Sequence, residues 1–474
     1  MQNNTLFPNA DQRDHWDEYL TTRLSAAMAD LPNGPVAPDA DPAILRAELA
    51  TFDFETPIPM DHLLDWTVET LSHGIVQLNH PRYLGLFNPK PSFPAQLAER
   101  ITAAFNPQLA SATTSPAATA IEAHVCTALA RRAGLGAAAT GHFTSGGSEA
   151  NYTAVICALT AAHPGFAAQG ARAFPGQPVF YISADSHLAW IKIAHQAGIG
   201  RNGARMVATD GAGRICPDAL RTAIAADRAQ GHVPFMIAAT AGTTNAGMID
   251  PLVPCADIAR AQGLWFHVDA AWGGALLCSA THRVRLAGIE RADSITIDAH
   301  KWFATTMGCG MFLTAHQAAL SAAFTVTASF MPSHAPAQDP YVTTAQWSRR
   351  FLGLRLFLSL ASGGWAAHAR HVETAIGLAT SLRTRLIQSG WTAQNGADSL
   401  AVICLTPPPG APSVRDIAHT IVTSGAAWVS TARFEGQDVL RACVTNGETT
   451  EADIHAVADA LAALCHHPVL TAAQ

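Results

Sequence analysis

The sequence predicts an α/β protein built on a mainly parallel sheet. Between about residues 96 and 365, short apolar runs rich in β-branched and aromatic residues alternate with alanine-rich helical stretches such as DALRTAIAADRAQG. The apolar runs include PVFYIS, FMIAATAG, LWFHVDA and SITIDA. Strands that alternate with helices are typical of helices packed on the faces of a parallel sheet. We therefore expect one large domain over residues 96–365.

The segments on either side of this domain have a different character. Residues 1–95 are predicted helices separated by the proline-rich joints LPNGPVAPDADP and NPKPSFP, which indicates an arm rather than an independent core. Residues 366–474 combine the strand-like runs SLAVICLTPP, AWVSTARF and VLRACVTN with a capped final helix, TTEADIHAVADALAALC. We expect an N-terminal helical arm and a small α+β C-terminal domain.

Composition limits the functions that the chain can have. Only 14% of its 474 residues are charged, which indicates surface that is buried between subunits. The net charge is −7 and lysine and arginine form no run, which argues against nucleic acid and anionic membranes and favours a small-molecule partner. The sequence shows no signal-peptide pattern, no apolar stretch of about 18 residues, and no paired spacing among its nine cysteines. We expect a cytoplasmic oligomer.

Two patterns suggest chemistry that their context does not support. GIGRNG (198–203) has the spacing of a dinucleotide site, but it follows HLAWIKIAHQA, a predicted helix, whereas that fingerprint must follow a strand. The 21 histidines include HARH (368–371) and a pair at 466–467, but neither has a full set of metal-ligand spacings. We expect neither a nicotinamide site nor a metal site.

Three other stretches carry groups that together point to one cofactor. FTSGGSEANYTAV places glycines and Ser148 at the start of a predicted helix, where free N–H groups bind phosphate, although alone it fits a capped glycine turn better. LWFHVDAAWGG ends a predicted strand at Asp269, and SITIDAHKW ends another just before Lys301. A phosphate cradle, a carboxylate for the pyridine nitrogen and a lysine for the Schiff base are what pyridoxal 5′-phosphate requires. The sequence therefore predicts a site for this cofactor.

These residues resemble the group II pyridoxal-phosphate-dependent amino acid decarboxylases, the family of aromatic amino acid, histidine and glutamate decarboxylases. The resemblance runs from LNHPRYLGLFNP through GGSEAN, HVDAAWGG and DAHKW to RRFLGLRLF and LRACVTN. It implies the fold of type I pyridoxal-phosphate-dependent transferases, with a seven-stranded, mainly parallel sheet. It also implies a homodimer with active sites at the subunit interface, and decarboxylation of an L-amino acid through a Lys301 Schiff base.

The resemblance further assigns roles to single residues. Lys301 looks like the Schiff-base lysine, Asp269 like the partner of the pyridine nitrogen, and His187 like the histidine that stacks on the ring. The cofactor-binding residues that it implies are Gly147, Ser148, His187, Thr244, Asp269, Ala271, Asp298, His300 and Lys301. The catalytic residues that it implies are Lys301, His187, His300 and Phe330.

The proton donor is one departure from the family pattern. An ungapped match places Phe330 where the family has a tyrosine that protonates the α-carbon, and a phenyl ring cannot donate a proton. An aldehyde synthase, in which the carbanion reacts with oxygen, is therefore an alternative function. If the function is decarboxylation, Tyr341 or His334 is an alternative donor.

The substrate pocket is a second departure. Aromatic-specific animal relatives have a substrate pocket whose wall is richer in aromatic rings. The corresponding residues here are Leu86, Phe87, Gln108 and Ala110, so the sequence does not identify the side chain of the substrate. Asp298 replaces an asparagine that animal members often carry near the phosphate. A further alternative is a non-catalytic scaffold of the same fold, against which the intact lysine, aspartate and ring histidine argue.

Overall fold

The computed structural model describes residues 6–38, 40–326 and 339–466, so Phe330 and His334 lie outside the described residues. The helices are α1 (Ala10–Asp30), α2 (Pro42–Leu49), α3 (Met60–Gly74), α4 (Phe93–Phe105), α5 (Pro116–Arg132), α6 (Gly147–Ala162), α7 (Phe166–Gln169), α8 (Ala189–Gln196), α9 (Pro217–Ala229), α10 (Leu252–Gln262), α11 (Gln317–Phe324), α12 (Leu354–Gln388), α13 (Val414–Thr423) and α14 (Glu451–His466). The strands are β1 (Thr140–Thr144), β2 (Pro178–Ser183), β3 (Ala204–Val207), β4 (Val233–Thr240), β5 (Trp265–Asp269), β6 (Ser294–Asp298), β7 (Gly310–Thr314), β8 (Thr392–Ala393), β9 (Val402–Thr406), β10 (Ser430–Phe434) and β11 (Gln437–Cys443).

Strands β1 to β7 form one sheet in the order β1-β7-β6-β5-β4-β2-β3. Strands β2 to β6 pair in parallel, and β7 runs antiparallel to both β6 and β1. This mainly parallel, seven-stranded sheet confirms the predicted fold class. Because β4, β5 and β6 are parallel neighbours, their last residues, Thr240, Asp269 and Asp298, lie at the same edge of the sheet. Open α/β sheets bind their ligands at this edge.

Both faces of the sheet are covered, which explains why its strands are continuous apolar runs. Alternate residues of β4 pack on opposite sides: Met236 joins a cluster with α6 and α8, and Ile237 joins the cluster that contains α5, α9 and α10. A side-chain period of two is what an extended strand imposes. The buried sheet therefore gives the residues at its carboxyl edge a rigid support.

The remaining elements flank this sheet. Strands β8 to β11 form a four-stranded antiparallel sheet in the order β10-β11-β9-β8, as expected for the C-terminal region. Helix α12 is interrupted at Gly364, whose φ of 62° lies in the left-handed region that favours glycine. None of the residues of α1, α2 and α3 is buried. The domain limits at 95/96 and 365/366 stay predictions.

The GIGRNG stretch connects α8 to β3, which reverses the strand-to-helix order of a dinucleotide site. Within the described ranges, no three His, Cys, Asp or Glu side chains are grouped closely enough to hold a metal ion. The helices of the same ranges include none that is long and apolar enough to cross a membrane.

Candidate active site

The residues predicted to bind the cofactor meet at the carboxyl ends of β5 and β6 and at the start of α6. They line one cavity of about 280 Å³. The predicted residues in its wall are Gly147, Ser148, His187, Thr244, Asp269, Ala271, Asp298, His300 and Lys301. Phe87, predicted for the substrate pocket, lines the same cavity. Stretches that are far apart in the sequence are thus brought together by the sheet.

A series of hydrogen bonds fixes the carboxylate of Asp269 at the end of β5. Its Oδ1 accepts from the backbone N–H of Ala271 (3.1 Å), and its Oδ2 accepts from Nδ2 of Asn151 (2.8 Å). Oδ1 of Asn151 lies 3.1 Å from Nε2 of His267, whose Nδ1 lies 2.8 Å from Oγ of Ser294. Burial lowers the pKa of His267 to about 4, so its ring is neutral at neutral pH. The ring therefore donates through Nε2 to Asn151, and Asp269 is held as an acceptor.

Lys301 lies in a tight turn directly after β6. Its backbone N–H donates to the carbonyl of Asp298 (3.2 Å), and its own carbonyl accepts from the N–H of Ala304 (2.9 Å). Its Nζ lies 3.1 Å from Oδ2 of Asp298 and 5.6 Å from the centre of the Phe87 ring. Because the side chain keeps 20% of its surface exposed, a ligand in the cavity can reach the amine.

Two histidines of the cavity wall are held in one tautomer. The N–H of Cys309 donates to Nδ1 of His300 (3.1 Å), and the N–H of Ala189 donates to Nδ1 of His187 (3.1 Å). Since each Nδ1 is an acceptor, each neutral ring carries its proton on Nε2. Burial lowers the pKa of His300, and partial desolvation likewise lowers the pKa of His187, which lies at the rim of the cavity. Both rings can therefore contact an aromatic ligand without adding a positive charge.

The start of α6 offers a place for an anion. The helix begins at Gly147 with Gly146 as its N-cap, and no side chain caps it. The N–H groups of a first helical turn have no partner within the helix and attract phosphate. A Cβ at Gly147 would lie 2.8 Å from Oδ2 of Asp298, so glycine is needed for this close approach. Ser148, considered above as a helix cap, instead lies within the first turn and lines the cavity.

These groups fit the three reactive parts of pyridoxal phosphate. The open start of α6 suits a phosphate, the amine of Lys301 suits an aldehyde, and the fixed acceptor Asp269 suits a protonated pyridine nitrogen. The buried Oδ1 of Asp298 has no hydrogen-bond partner within the described part of the chain, so the cavity wall keeps an unsatisfied polar group. A polar cavity with convergent groups of this kind is typical of a cofactor site.

Three residues predicted for the substrate pocket lie away from the cavity of the single chain. Leu86 has 47% of its surface exposed, and Gln108 donates through Nε2 to Oγ of Ser348 (2.8 Å). The carbonyl of Ala110 accepts from the N–H of Tyr341 (3.1 Å). Tyr341, considered as a proton donor, is buried outside the cavity wall. Of the four pocket residues, the structure places Phe87 at the cavity.

Arg441 of β11 is a candidate that reasoning from the sequence did not identify. It is 3% exposed; its Nε donates to the carbonyl of Thr244 (2.8 Å) and its Nη1 donates to the carbonyl of Gly85. Its guanidinium lies 4.9 Å from the centre of the ring of Phe87, which lines the cavity, and Arg441 itself lies behind that wall. Its buried Nη2 has no hydrogen-bond partner among the described residues, so a donor is left for an anion. The signal in the sequence was a charged residue inside the apolar run VLRACV.

Comparisons with known proteins identify the family. The sequence matches the family described as pyridoxal-dependent decarboxylase conserved domain over residues 46–392. It is 39% identical to the L-2,4-diaminobutyrate decarboxylase of Rhizobium meliloti over 51% of this chain and 47% of that protein, about half of its length. It is 28% identical to tryptophan decarboxylase 2 of Oryza sativa, over 89% of this chain and 88% of that protein. The crystal structure of mouse CSAD in apo form has a TM-score of 0.87 at 26% identity, covering 95% of this chain and 99% of that chain. The chain therefore belongs to the pyridoxal-dependent decarboxylase family and is an amino acid decarboxylase that uses pyridoxal phosphate.

Proposed function

We propose that the chain removes the α-carboxyl group of an L-amino acid as carbon dioxide, with Lys301 and Asp269 at the two ends of the cofactor ring. When bound, pyridoxal phosphate supplies an electron sink for the pair of electrons that the departing carboxyl group leaves behind. The observation that carries the proposal is the lysine amine and the fixed carboxylate in one cavity beside an open helix start. Decarboxylase relatives favour this reaction over the aldehyde synthase alternative, which rests on Phe330 alone.

Lys301, Asp269, Ser148 and His187 then each have a defined task. The amine of Lys301 would hold the aldehyde carbon, and Asp269 would keep the proton on the pyridine nitrogen, because Asn151 and Ala271 fix its carboxylate as an acceptor. The first turn of α6, with Ser148, would bind the phosphate. His187 at the rim would cover one face of the ring, and a neutral imidazole suits this position because it adds no charge against the ring.

We further propose that Arg441 binds a carboxylate of the substrate. The guanidinium is fixed by the carbonyls of Thr244 and Gly85 and packs on Phe87, so its free Nη2 has a defined direction. A buried guanidinium with an unpaired N–H is unfavourable unless an anion completes it. Arginine also suits the planar geometry of a carboxylate better than lysine does.

Replacing Arg441 is expected to weaken substrate binding. Arg441→Lys keeps the positive charge but loses the planar guanidinium group. We expect KM to rise about 10- to 100-fold, which corresponds to the loss of one hydrogen bond to a charged group. Arg441→Gln should raise KM further, with cofactor absorbance retained in both variants. Steady-state kinetics gives KM and kcat separately, and thermal melting checks the fold. Arg433→Gln, on the exposed face of the neighbouring strand β10, is the matched control. An unchanged KM in a folded Arg441→Lys variant would exclude the assignment.

We also propose that the chain acts as a homodimer in the cytoplasm. One face of α4 exposes Phe93, Leu97, Ile101 and Phe105 at intervals of one helical turn, and an apolar stripe of this kind is typical of a covered surface. The loop that follows α4 carries Gln108, so a second copy on this face would lie close to that residue. All nine cysteines are free thiols, as a reducing compartment favours.

A product balance tests the reaction itself. Purified protein is incubated in air with a panel of L-amino acids, and carbon dioxide, amine, ammonia and hydrogen peroxide are measured together. We expect amine equal to carbon dioxide for the true substrate. Ammonia and peroxide equal to carbon dioxide would establish the aldehyde synthase, and Phe330→Tyr should then restore amine. A protein without a visible absorbance band after cofactor addition would revive the non-catalytic scaffold.

A further inference from the structure

The carboxylate of Asp298 is buried beside the lysine of the cavity. Its side chain is 3% exposed, and Oδ2 lies 3.1 Å from Nζ of Lys301 and 3.8 Å from Nε2 of His300. Oδ1 is shielded from solvent and has no hydrogen-bond partner in the described ranges. A buried carboxylate is costly unless a cation or several donors compensate it. Because His300 is neutral, Lys301 is the cation that compensates Asp298.

The backbone around Asp298 accommodates this pair. The antiparallel register of β6 and β7 places Gly310 opposite Asp298. A Cβ at Gly310 would lie 2.7 Å from Oδ1, and a Cβ at Gly147 would lie 2.8 Å from Oδ2. Glycines of two different elements therefore leave the space that the carboxylate fills. The turn after β6 then folds Lys301 back over it through the hydrogen bond between their backbones. The contact between Asp298 and Lys301 is therefore a consequence of the backbone at the carboxyl end of β6.

We propose that Asp298 is a positioning residue that holds the amine of Lys301 whenever the lysine is not bonded to the cofactor. The inference rests on the proposed function, in which Lys301 is free before the cofactor is loaded and again after the amine of the substrate has replaced it. A carboxylate holds the flexible lysine side chain as an ion pair between opposite charges, whereas a neutral asparagine would offer only its amide oxygen as an acceptor. An ammonium held at Asp298 does not compete with the amine of the substrate.

The chain contains three lysines, Lys90, Lys192 and Lys301, so the reactivity of each amine can be measured separately. In cofactor-free, full-length protein, brief reductive methylation with formaldehyde and cyanoborohydride, followed by peptide mass spectrometry, gives a rate for each lysine. An ammonium held by a carboxylate must give up a proton before its nitrogen has a lone pair that can react with formaldehyde. We therefore expect Asp298→Asn to raise the rate at Lys301 about 10-fold, the value of a charged hydrogen bond, with Lys90 and Lys192 unchanged.

Glu448→Gln is the matched control, because Glu448 pairs with Nζ of Lys90 at 2.6 Å. It should raise the rate at Lys90 and leave Lys301 unchanged. Asp298→Ala, which removes the carboxylate without adding an amide, provides a second variant, and circular dichroism checks that each variant folds. Equal rates at Lys301 in the wild type and in a folded Asp298 variant would overturn the inference. Borohydride reduction of the cofactor-loaded wild type distinguishes this failure from a failure of the proposed function. The proposed function predicts a label at Lys301 whether or not Asp298 positions the amine.

Discussion

Lys301→Ala is expected to abolish both decarboxylation and stable binding of the cofactor. Removing the residue that forms the covalent bond in an enzyme typically lowers kcat by about 10³- to 10⁶-fold. The visible absorbance band that appears when cofactor is added to the wild type should be absent. Borohydride reduction of the loaded wild type, followed by peptide mass spectrometry, should place the whole label on Lys301.

Lys192→Ala is the control for this experiment. Lys192 lies exposed on α8, whose first residue, Ala189, lines the cavity. The variant should keep its activity, its absorbance band and a label at Lys301. A label at Lys90 or Lys192 in the wild type, or activity in Lys301→Ala, would contradict the assignment of the lysine.

The parts of the site that could be predicted are those that secondary structure alone positions. Parallel strands of a buried sheet all end at the edge where ligands bind. Asp269 and Lys301 follow predicted strands, so they could be expected to lie close together. The same holds for the start of α6, because an uncapped helix after a strand presents its N–H groups at this edge. The fold class followed from the same alternation of runs and is confirmed by the sheet.

The parts that could not be predicted depend on contacts between distant segments. Arg441 reaches Phe87 because the C-terminal sheet packs against the loop between α3 and α4, and no local pattern specifies that packing. The resemblance to the family predicts Leu86, Gln108 and Ala110 in the substrate pocket, yet in a single chain they lie away from the cavity. The hydrogen bonds that fix Asp269 could not be predicted either. Asn151 and His267 lie in the family motifs, but their roles follow from burial and hydrogen-bond direction.

Asp269→Asn is expected to lower kcat by about 10²- to 10³-fold, the usual effect of removing a group that stabilises charge during the reaction. The reason lies in the two donors that surround position 269. Asn151 donates to Oδ2 and the N–H of Ala271 donates to Oδ1. An asparagine has one acceptor and one donor, so its NH₂ group would face one of these two donors. The variant therefore loses both the negative charge and the fixed orientation, and kcat with the substrate found by product balance measures the loss.

His267→Leu tests the same network from a distance. It leaves the Asp269 carboxylate in place and removes the ring that orients Asn151, so we expect a smaller loss of about 10-fold, the value of a single hydrogen bond. Asp257→Asn, an exposed carboxylate on α10 that pairs with Arg291, is the matched control and should keep the wild-type kcat. Wild-type kcat in Asp269→Asn would mean that position 269 does not hold the pyridine nitrogen.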